Sequence, residues 1–233
     1  SNVFSLAGQW DNMIAYETPD FAGFKLFAQY GMGSNDNENE SSSDRFYSLG
    51  VTYNNGPFAG YLAVDSINYK TAKFGTGEYP NNGDDIDDSL TVTFGGNYDF
   101  EVAKLFAGAQ YFDEIKLSNM KGAVNFEDAD SGIATKMKGW SLGVSGSIPV
   151  AGGNVLVGAA YLDAEPADSV KDATKNDELT RWIVSAGYDY PLSKRTNVYG
   201  ILTYNQDSID SDNKASERDP SVFGVMVGLR HKF

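Results

Sequence analysis

The amino-acid sequence predicts an all-β fold, namely an antiparallel transmembrane β-barrel. Apolar and polar residues alternate along most of the chain, which is typical of strands with unlike surroundings on their two faces. The connections alternate between short turns and long polar loops, as they do in outer-membrane barrels. Neither a sustained helical period nor a linker rich in Gly, Ser and Pro interrupts the pattern, so we expect a single domain over residues 1–233.

Alternation predicts four strands in the first part of the chain, over 9–17, 22–33, 44–54 and 58–70. The second of them shows the pattern most plainly, with Leu26 and Ala28 on one face and Lys25 and Gln29 on the other. Turn-forming residues separate these strands, such as the run Asn55-Gly56-Pro57 after the third.

Seven more strands are predicted in the rest of the chain: 88–100, 103–117, 136–148, 154–163, the two arms of a hairpin over 177–205, and 220–233. Long polar connections over 71–87, 118–135, 164–176 and 207–219 alternate with short turns. The total is therefore about eleven strands.

The hairpin over 177–205 gives the clearest indication of a lipid-facing wall. Its first arm places apolar side chains on one face: Trp182, Val184, Ala186, Tyr188 and Tyr190. Mostly polar and small residues, including Arg181 and Ser185, fall on the other face, and Pro191 ends the pairing. Two tyrosines beside the turn stand where an aromatic girdle meets the membrane–water boundary.

Composition excludes several classes of protein. The formal net charge of −14 leaves no basic stripe for a general nucleic-acid binder. The absence of cysteine excludes disulfides and thiolate metal sites within these residues. An enzyme is not expected, because His231 is the one histidine and lies next but one to the end of the terminal strand, where a Ser–His–Asp arrangement would have to be built around it.

An odd number of strands raises a problem of closure. Eleven antiparallel strands leave the first and the last running parallel, whereas bacterial barrels of this kind have even strand numbers. An unclosed edge in lipid would leave backbone groups unpaired. We therefore expect N-terminal strands of the barrel to be missing from this chain.

Three stretches resemble the general diffusion porins of Gram-negative bacteria, particularly the betaproteobacterial type. They are the hairpin YDYPLSKRTNVYGILTY at 188–204, the aromatic-ended terminal strand VGLRHKF at 227–233, and DNMIAYETPDFAGFKLFAQYG at 11–31. The resemblance implies that the chain supplies the last eleven strands of a sixteen-stranded, homotrimeric barrel in the bacterial outer membrane. Residues 1–8 would then form the end of the constriction loop. Ala15 stands where several relatives carry a pore-lining arginine or lysine, so part of their basic ladder is absent.

Assigning the apolar face to lipid leaves a set of candidate pore-lining residues: Glu17, Lys25, Gln29, Asp65, Lys104, Gln110, Glu114 and Arg181. Such side chains would act through their electric field on passing ions rather than through chemistry. Lys25, Lys104 and Arg181 are the best candidates because they lie within strands. The alternative for each residue is a solvated lumen position with little effect. Arg230 and Lys232 lie near the end of the last strand, where a structural role at the rim is expected.

The resulting hypothesis is an outer-membrane channel for passive diffusion of small hydrophilic solutes and ions, in contact with membrane lipid and lipopolysaccharide. No cofactor is expected, although acidic loops around Glu38, Asp85 and Asp128 could bind calcium weakly. The alternative is a soluble secreted β-sandwich that binds carbohydrate or protein, because such folds also alternate within strands.

Overall fold

The computed structural model describes residues 3–4, 12–32, 45–68, 73–74, 77–78, 87–116, 136–169, 178–210 and 217–232. The strands within these ranges are β1 (Met13–Glu17), β2 (Phe24–Gly31), β3 (Arg45–Asn55), β4 (Phe58–Asn68), β5 (Lys73–Phe74), β6 (Gly77–Glu78), β7 (Ser89–Asp99), β8 (Lys104–Lys116), β9 (Lys136–Val150), β10 (Gly153–Pro166), β11 (Glu178–Pro191), β12 (Thr196–Asp210) and β13 (Ser221–His231).

Eleven of these strands form one antiparallel sheet, in the order β1-β2-β3-β4-β7-β8-β9-β10-β11-β12-β13. This order confirms the predicted sequence of neighbouring antiparallel strands, with β1 and β13 at the two edges. The short strands β5 and β6 pair only with each other, inside the segment predicted as a loop. The described residues contain no second sheet that could cover the large one, so the sandwich alternative is not favoured. No helix in this part of the chain has the length and hydropathy needed to cross a membrane.

Most predicted strand boundaries agree with the structure to within a few residues, but two strands continue into predicted loops. Strand β12 extends to Asp210 and β10 to Pro166. In β12 the extension pairs Ile209 with Leu179 and Asp207 with Arg181. Polar residues in this stretch gave it the composition of a loop, whereas their cross-strand partners make it a strand. The predicted start of the first strand at residue 9 lies outside the described residues.

The two ends of the sheet differ in their connections. Five short connections join strands at one end, here called the short-turn end, and the longer connections join them at the other, the long-loop end. Positive φ angles occur at Gly23 (91°), Gly56 (56°) and Gly152 (81°) in the short turns. Glycine adopts this left-handed region without steric cost, which allows the chain to reverse tightly.

A buried apolar cluster, here called the collar, lies at the long-loop end. Its members are Val3, Phe112, Ile115, Met137, Leu162, Ala164, Ala167, Leu179 and Ile209. Phe112, Ala164, Leu179 and Ile209 lie in one cross-strand row, on the face opposite to Trp182 and Tyr111. We call this the inner face of the sheet, since Val3 packs on it. Burial of each large side chain stabilises the fold by about 1.5–3 kcal/mol.

The turn between β1 and β2 offers a test of this packing. A Cβ at Gly23 would lie 2.3 Å from the carbonyl oxygen of Asn54, whereas a Cβ at Gly56 would meet no atom within 4 Å. Both glycines have positive φ, so alanine at either position carries backbone strain of about 1 kcal/mol or more. We expect Gly23→Ala to lower the unfolding temperature of the full-length protein in detergent clearly more than Gly56→Ala. Equal shifts for the two variants would contradict the close approach of the turn to β3.

Candidate functional site

The outer face of the sheet is apolar and exposed from strand to strand. On the last three strands, Val184 is 44% exposed, Leu202 49% and Val225 63%. Comparable side chains occupy the same face of the first strands, where Leu26 is 52% and Leu49 63% exposed. An apolar surface of this extent marks contact with a membrane or with other protein rather than with water.

Aromatic side chains border this apolar surface on both sides. On the long-loop side, ring pairs link neighbouring strands: Tyr30–Tyr47 at 5.3 Å, Trp140–Tyr161 at 5.4 Å and Trp182–Tyr204 at 5.2 Å. On the short-turn side the pairs are Phe24–Tyr53 at 4.2 Å, Tyr98–Phe100 at 4.6 Å and Tyr188–Tyr190 at 6.3 Å. Along β11 the two belts are about 20–26 Å apart at ~3.3 Å per residue. This spacing matches the apolar band of an outer-membrane barrel, about 25 Å tall.

Four of the predicted pore-lining residues lie on the inner face of β1, β2 and β4. Lys25 donates a hydrogen bond to Glu17 at 2.7 Å, and the two side chains are 38% and 54% exposed. Gln29 and Asp65 stand on either side of Ser48 in one cross-strand row, and both are half-buried. The structure therefore brings these four side chains to the inner wall. Their role in lining a pore stays a prediction.

Two more candidates lie on the inner face of β8. Gln110 is 4% exposed, and its amide donates to the Thr93 hydroxyl at 2.8 Å. Lys104 is half-buried, and its ammonium lies 5.5 Å from the centroid of the Phe106 ring. Gln110 is thus held within the wall, whereas Lys104 presents its charge near the short-turn end.

Arg181 differs from the expectation of a charge exposed in the lumen. Its Nε and Nη2 donate to the two carboxylate oxygens of Asp207, at 2.6 and 2.8 Å. Both side chains are 0% exposed, and the amide of Asn205 donates to the same carboxylate at 3.4 Å. Because the charge is neutralised and shielded by its partner, Arg181 contributes packing beside the collar and little field to an open lumen.

Glu114 also departs from its predicted place, and the reason is a β-bulge. The register of β8 on β9 shifts between Phe112 and Ile115, and Glu114 has a φ of 52°. The prediction assumed uninterrupted alternation, which the bulge breaks. Lys136 lies 3.1 Å from the Glu114 carboxylate, and Ser169 donates to it through its amide and its hydroxyl. Glu114 is 3% exposed, so it holds the long-loop end together rather than facing an open lumen.

Sequence reasoning missed the apolar part of the inner wall. Phe106 faces inward and is 39% exposed, between the inward-facing positions of Lys104 and Gly108. It borders a cavity of about 770 Å³ with other apolar inner side chains, including Leu156 and Ile201. The sequence contained a signal for this, because a phenylalanine at an inner-face position interrupts the polar face of that strand.

Phe4 packs against the inner face at a pair of glycines, Gly108 and Gly143, here called the glycine floor. Gly108 and Gly143 are cross-strand partners on β8 and β9. A Cβ at Gly143 would lie 3.3 Å from the Phe4 ring, and one at Gly108 would lie 3.6 Å from it. Val3, beside Phe4, is 2% exposed within the collar. The described start of the chain therefore packs against the inside of the sheet, and its identity as the end of a constriction loop stays a prediction.

Metal binding at the acidic loops stays a prediction. Glu38, Asp85 and Asp128 lie outside the described residues. Asp88, next to the second of these loops, accepts hydrogen bonds from the Asn68 amide at 3.0 Å. Within the described ranges, no three side chains capable of binding a metal ion cluster together.

Comparison with known proteins relates the chain to porins. The profile of the Gram-negative porin family matches residues 1–210. The chain is 27% identical over 246 aligned residues to an outer membrane porin protein of Bordetella pertussis, covering 97% of this chain and 58% of that protein. It is 30% identical to outer membrane porin protein 32 of Delftia acidovorans, covering 96% of this chain and 56% of that protein.

Solved structures show the same fold. The anion-selective porin from Comamonas acidovorans aligns with a TM-score of 0.60 and 24% identity, covering 96% of this chain and 60% of that one. The outer membrane channel DcaP of Acinetobacter baumannii aligns with a TM-score of 0.64 and 12% identity, covering 95% of this chain and 62% of that one. The chain thus spans less than two thirds of the length of these relatives.

The Arg181–Asp207 pair predicts a non-additive effect on stability. Arg181→Met alone removes the bidentate partner of a buried carboxylate, which costs about 3–5 kcal/mol of unfolding free energy. Adding Asp207→Leu removes that carboxylate, so the double variant should recover most of the loss. Urea unfolding of the full-length protein in lipid vesicles measures the unfolding free energy of the single and the double variant. Additive losses in the double variant would show that the pair is not buried as described.

The contact between Phe4 and the glycine floor predicts how residues 3–4 respond when a glycine of the floor is replaced by a larger residue. Val3→Cys places a thiol in the collar, and the 233 residues contain no other cysteine. Gly143→Val should push against Phe4 and overpack the contact by about 1–3 kcal/mol. Labelling of the thiol by a maleimide should then become about ten- to hundred-fold faster.

Gly200→Val is the matched control, because a Cβ at Gly200 would meet no atom within 4 Å. Labelling rates should be compared in the full-length protein with any further cysteines replaced by serine. Equal acceleration by the two valines would contradict the seating of Phe4 on the floor.

Proposed function

Because the chain belongs to the Gram-negative porin family, we propose that it forms part of the wall of an outer-membrane channel. Small hydrophilic solutes and ions would cross this channel passively, down their gradients. The channel needs neither a cofactor nor a catalytic residue, since the wall acts through width, polarity and charge. Its outer face would contact membrane lipid and, at the long-loop end, lipopolysaccharide.

The observation that carries this proposal is the unlike character of the two faces of a single sheet. Outward side chains such as Val184 and Val225 are apolar and exposed. Inward neighbours such as Ser185 and Thr203 are polar and hydrogen-bond to each other at 3.0 Å. A sheet with apolar groups outside and hydroxyls inside is the arrangement that a water-filled pore in lipid requires.

Closure of the channel would come from further strands of the whole protein. Strands β1 and β13 carry the free edges of the sheet, and an unpaired edge is not tolerated in hydrocarbon. We propose a sixteen-stranded barrel whose remaining strands join these two edges. Three such barrels would associate through part of the apolar outer face.

Ion preference in this part of the wall would be weak. The charges of Lys25 and Glu17 cancel at short range, as do those of Arg181 and Asp207. Among the predicted lining residues, Lys104 is the strand cation that keeps its charge near the inner surface. A single lysine raises the local concentration of anions only modestly at physiological salt.

Two substitutions at adjacent positions, one on each face of the sheet, test the proposal. Val184→Arg puts a charge on the lipid side, at a cost of about 2–4 kcal/mol near the bilayer midplane, and should reduce insertion into vesicles. Ser185→Arg puts the same charge on the inner side. It should insert normally, lower the single-channel conductance and shift the reversal potential in asymmetric potassium chloride towards anion preference.

The wild-type full-length protein should give stepwise conductance in planar bilayers. The proposal fails if no steps appear, or if Ser185→Arg leaves both conductance and reversal potential unchanged while Val184→Arg inserts normally.

A further inference from the structure

The inner-face cavity of about 770 Å³ has features that a simple water-filled pore does not require. Its walls include the apolar side chains of Phe4, Phe106, Leu156 and Ile201. A volume in this range suits a bound small molecule, since ligand sites typically measure about 300–1,000 Å³. We call this cavity the inner seat.

The floor of the inner seat is flat because glycines from neighbouring strands meet there. Gly108 pairs with Gly143 in register, and both line the cavity. One row towards the short-turn end, the hydroxyls of Ser145 and Ser185 flank Gly158. The described start of the chain covers the first two of these glycines, whereas a Cβ at Gly158 would meet no atom of that segment within 4 Å. A planar apolar group could therefore lie over the backbone of Gly158 and meet hydroxyl groups at its edge.

A cation stands at the short-turn border of the inner seat. Lys104 shares a cross-strand row with Ser147 and Leu156, which line the cavity. Its cross-strand partner on β7, Asp99, accepts a hydrogen bond from the amide of Glu101 in the turn. Within the described residues, no carboxylate lies within 4.0 Å of the Lys104 ammonium. This ammonium can therefore receive the carboxylate of a ligand.

We propose that the inner seat binds small monocarboxylates that carry an apolar body, with benzoate as the simplest probe. The carboxylate would pair with Lys104, while the ring would lie over Gly158 against Leu156 and Phe106. This inference deepens the proposed channel function and depends on it for its role in transport. Affinity should be low, on the order of 1 mM, because a transported solute must also leave.

Equilibrium binding tests the inner seat without requiring conduction. The full-length protein in detergent micelles is titrated with 4-fluorobenzoate, followed by ¹⁹F NMR, and protein-free micelles give the partition background. Binding should be saturable and at least about tenfold tighter than that of acetate, which lacks the apolar body. Lys104→Gln should weaken it about tenfold through loss of a charge-assisted contact.

A second variant and a matched control keep the test specific. Leu156→Gln replaces an apolar wall of the inner seat and should also weaken 4-fluorobenzoate binding. Lys25→Gln removes an inner-face lysine on β2, which is ion-paired with Glu17, and should change the affinity by less than about twofold. The proposal is overturned if Lys25→Gln and Lys104→Gln act equally, if acetate binds as well as 4-fluorobenzoate, or if binding never saturates. Intact binding without stepwise conductance would refute the channel and leave the inner seat standing.

Discussion

Backbone hydrogen bonding across the eleven-stranded sheet is the constraint on which the other features of the structure depend. In hydrocarbon, every unpaired amide or carbonyl group costs several kcal/mol, so strands must pair along their full length. The sheet register shifts at the bulge after Phe112, on the long-loop side of Tyr111, which is the cross-strand partner of Trp140 in the aromatic belt. There the amide of Glu114 donates to the side chain of Asp113. The irregular backbone thus lies where nearby polar groups can satisfy it.

The inner face divides into two parts along the strands. At the long-loop end, the collar and the buried ion pairs fill the space beside the wall and enclose Val3. Towards the short-turn end, Phe106 is less covered and lines the cavity, and Lys104 shares a cross-strand row with the lining residue Leu156. Charges that are buried must be paired, whereas charges that act on solutes must stay accessible. The same constraint therefore explains why Arg181 is paired inside the wall, whereas Lys104 stays partly exposed on the inner face.

Likeness to the relatives persists at low identity because the fold constrains patterns more than residues. The chain and the Acinetobacter baumannii channel share 12% identity over 95% of this chain, yet their folds align. Many apolar side chains can face lipid, and many small polar ones can face water, so alternation survives extensive substitution. The inner face accepts a wider range of side chains than the lipid-facing side does, so Ala15 and Phe106 can occupy positions on the mostly polar face.

The sequence by itself determined the strands, their order and the direction in which most side chains point, because alternation and turn chemistry are local properties. It therefore placed Lys25 and Lys104 on the inner face. Only the tertiary structure decided which charges are neutralised, because Arg181 and its partner Asp207 lie 26 positions apart and meet through the register of β11 on β12. The bulge at Glu114 and the glycine floor beneath Phe4 likewise depend on how separate strands align, which no single segment of sequence specifies.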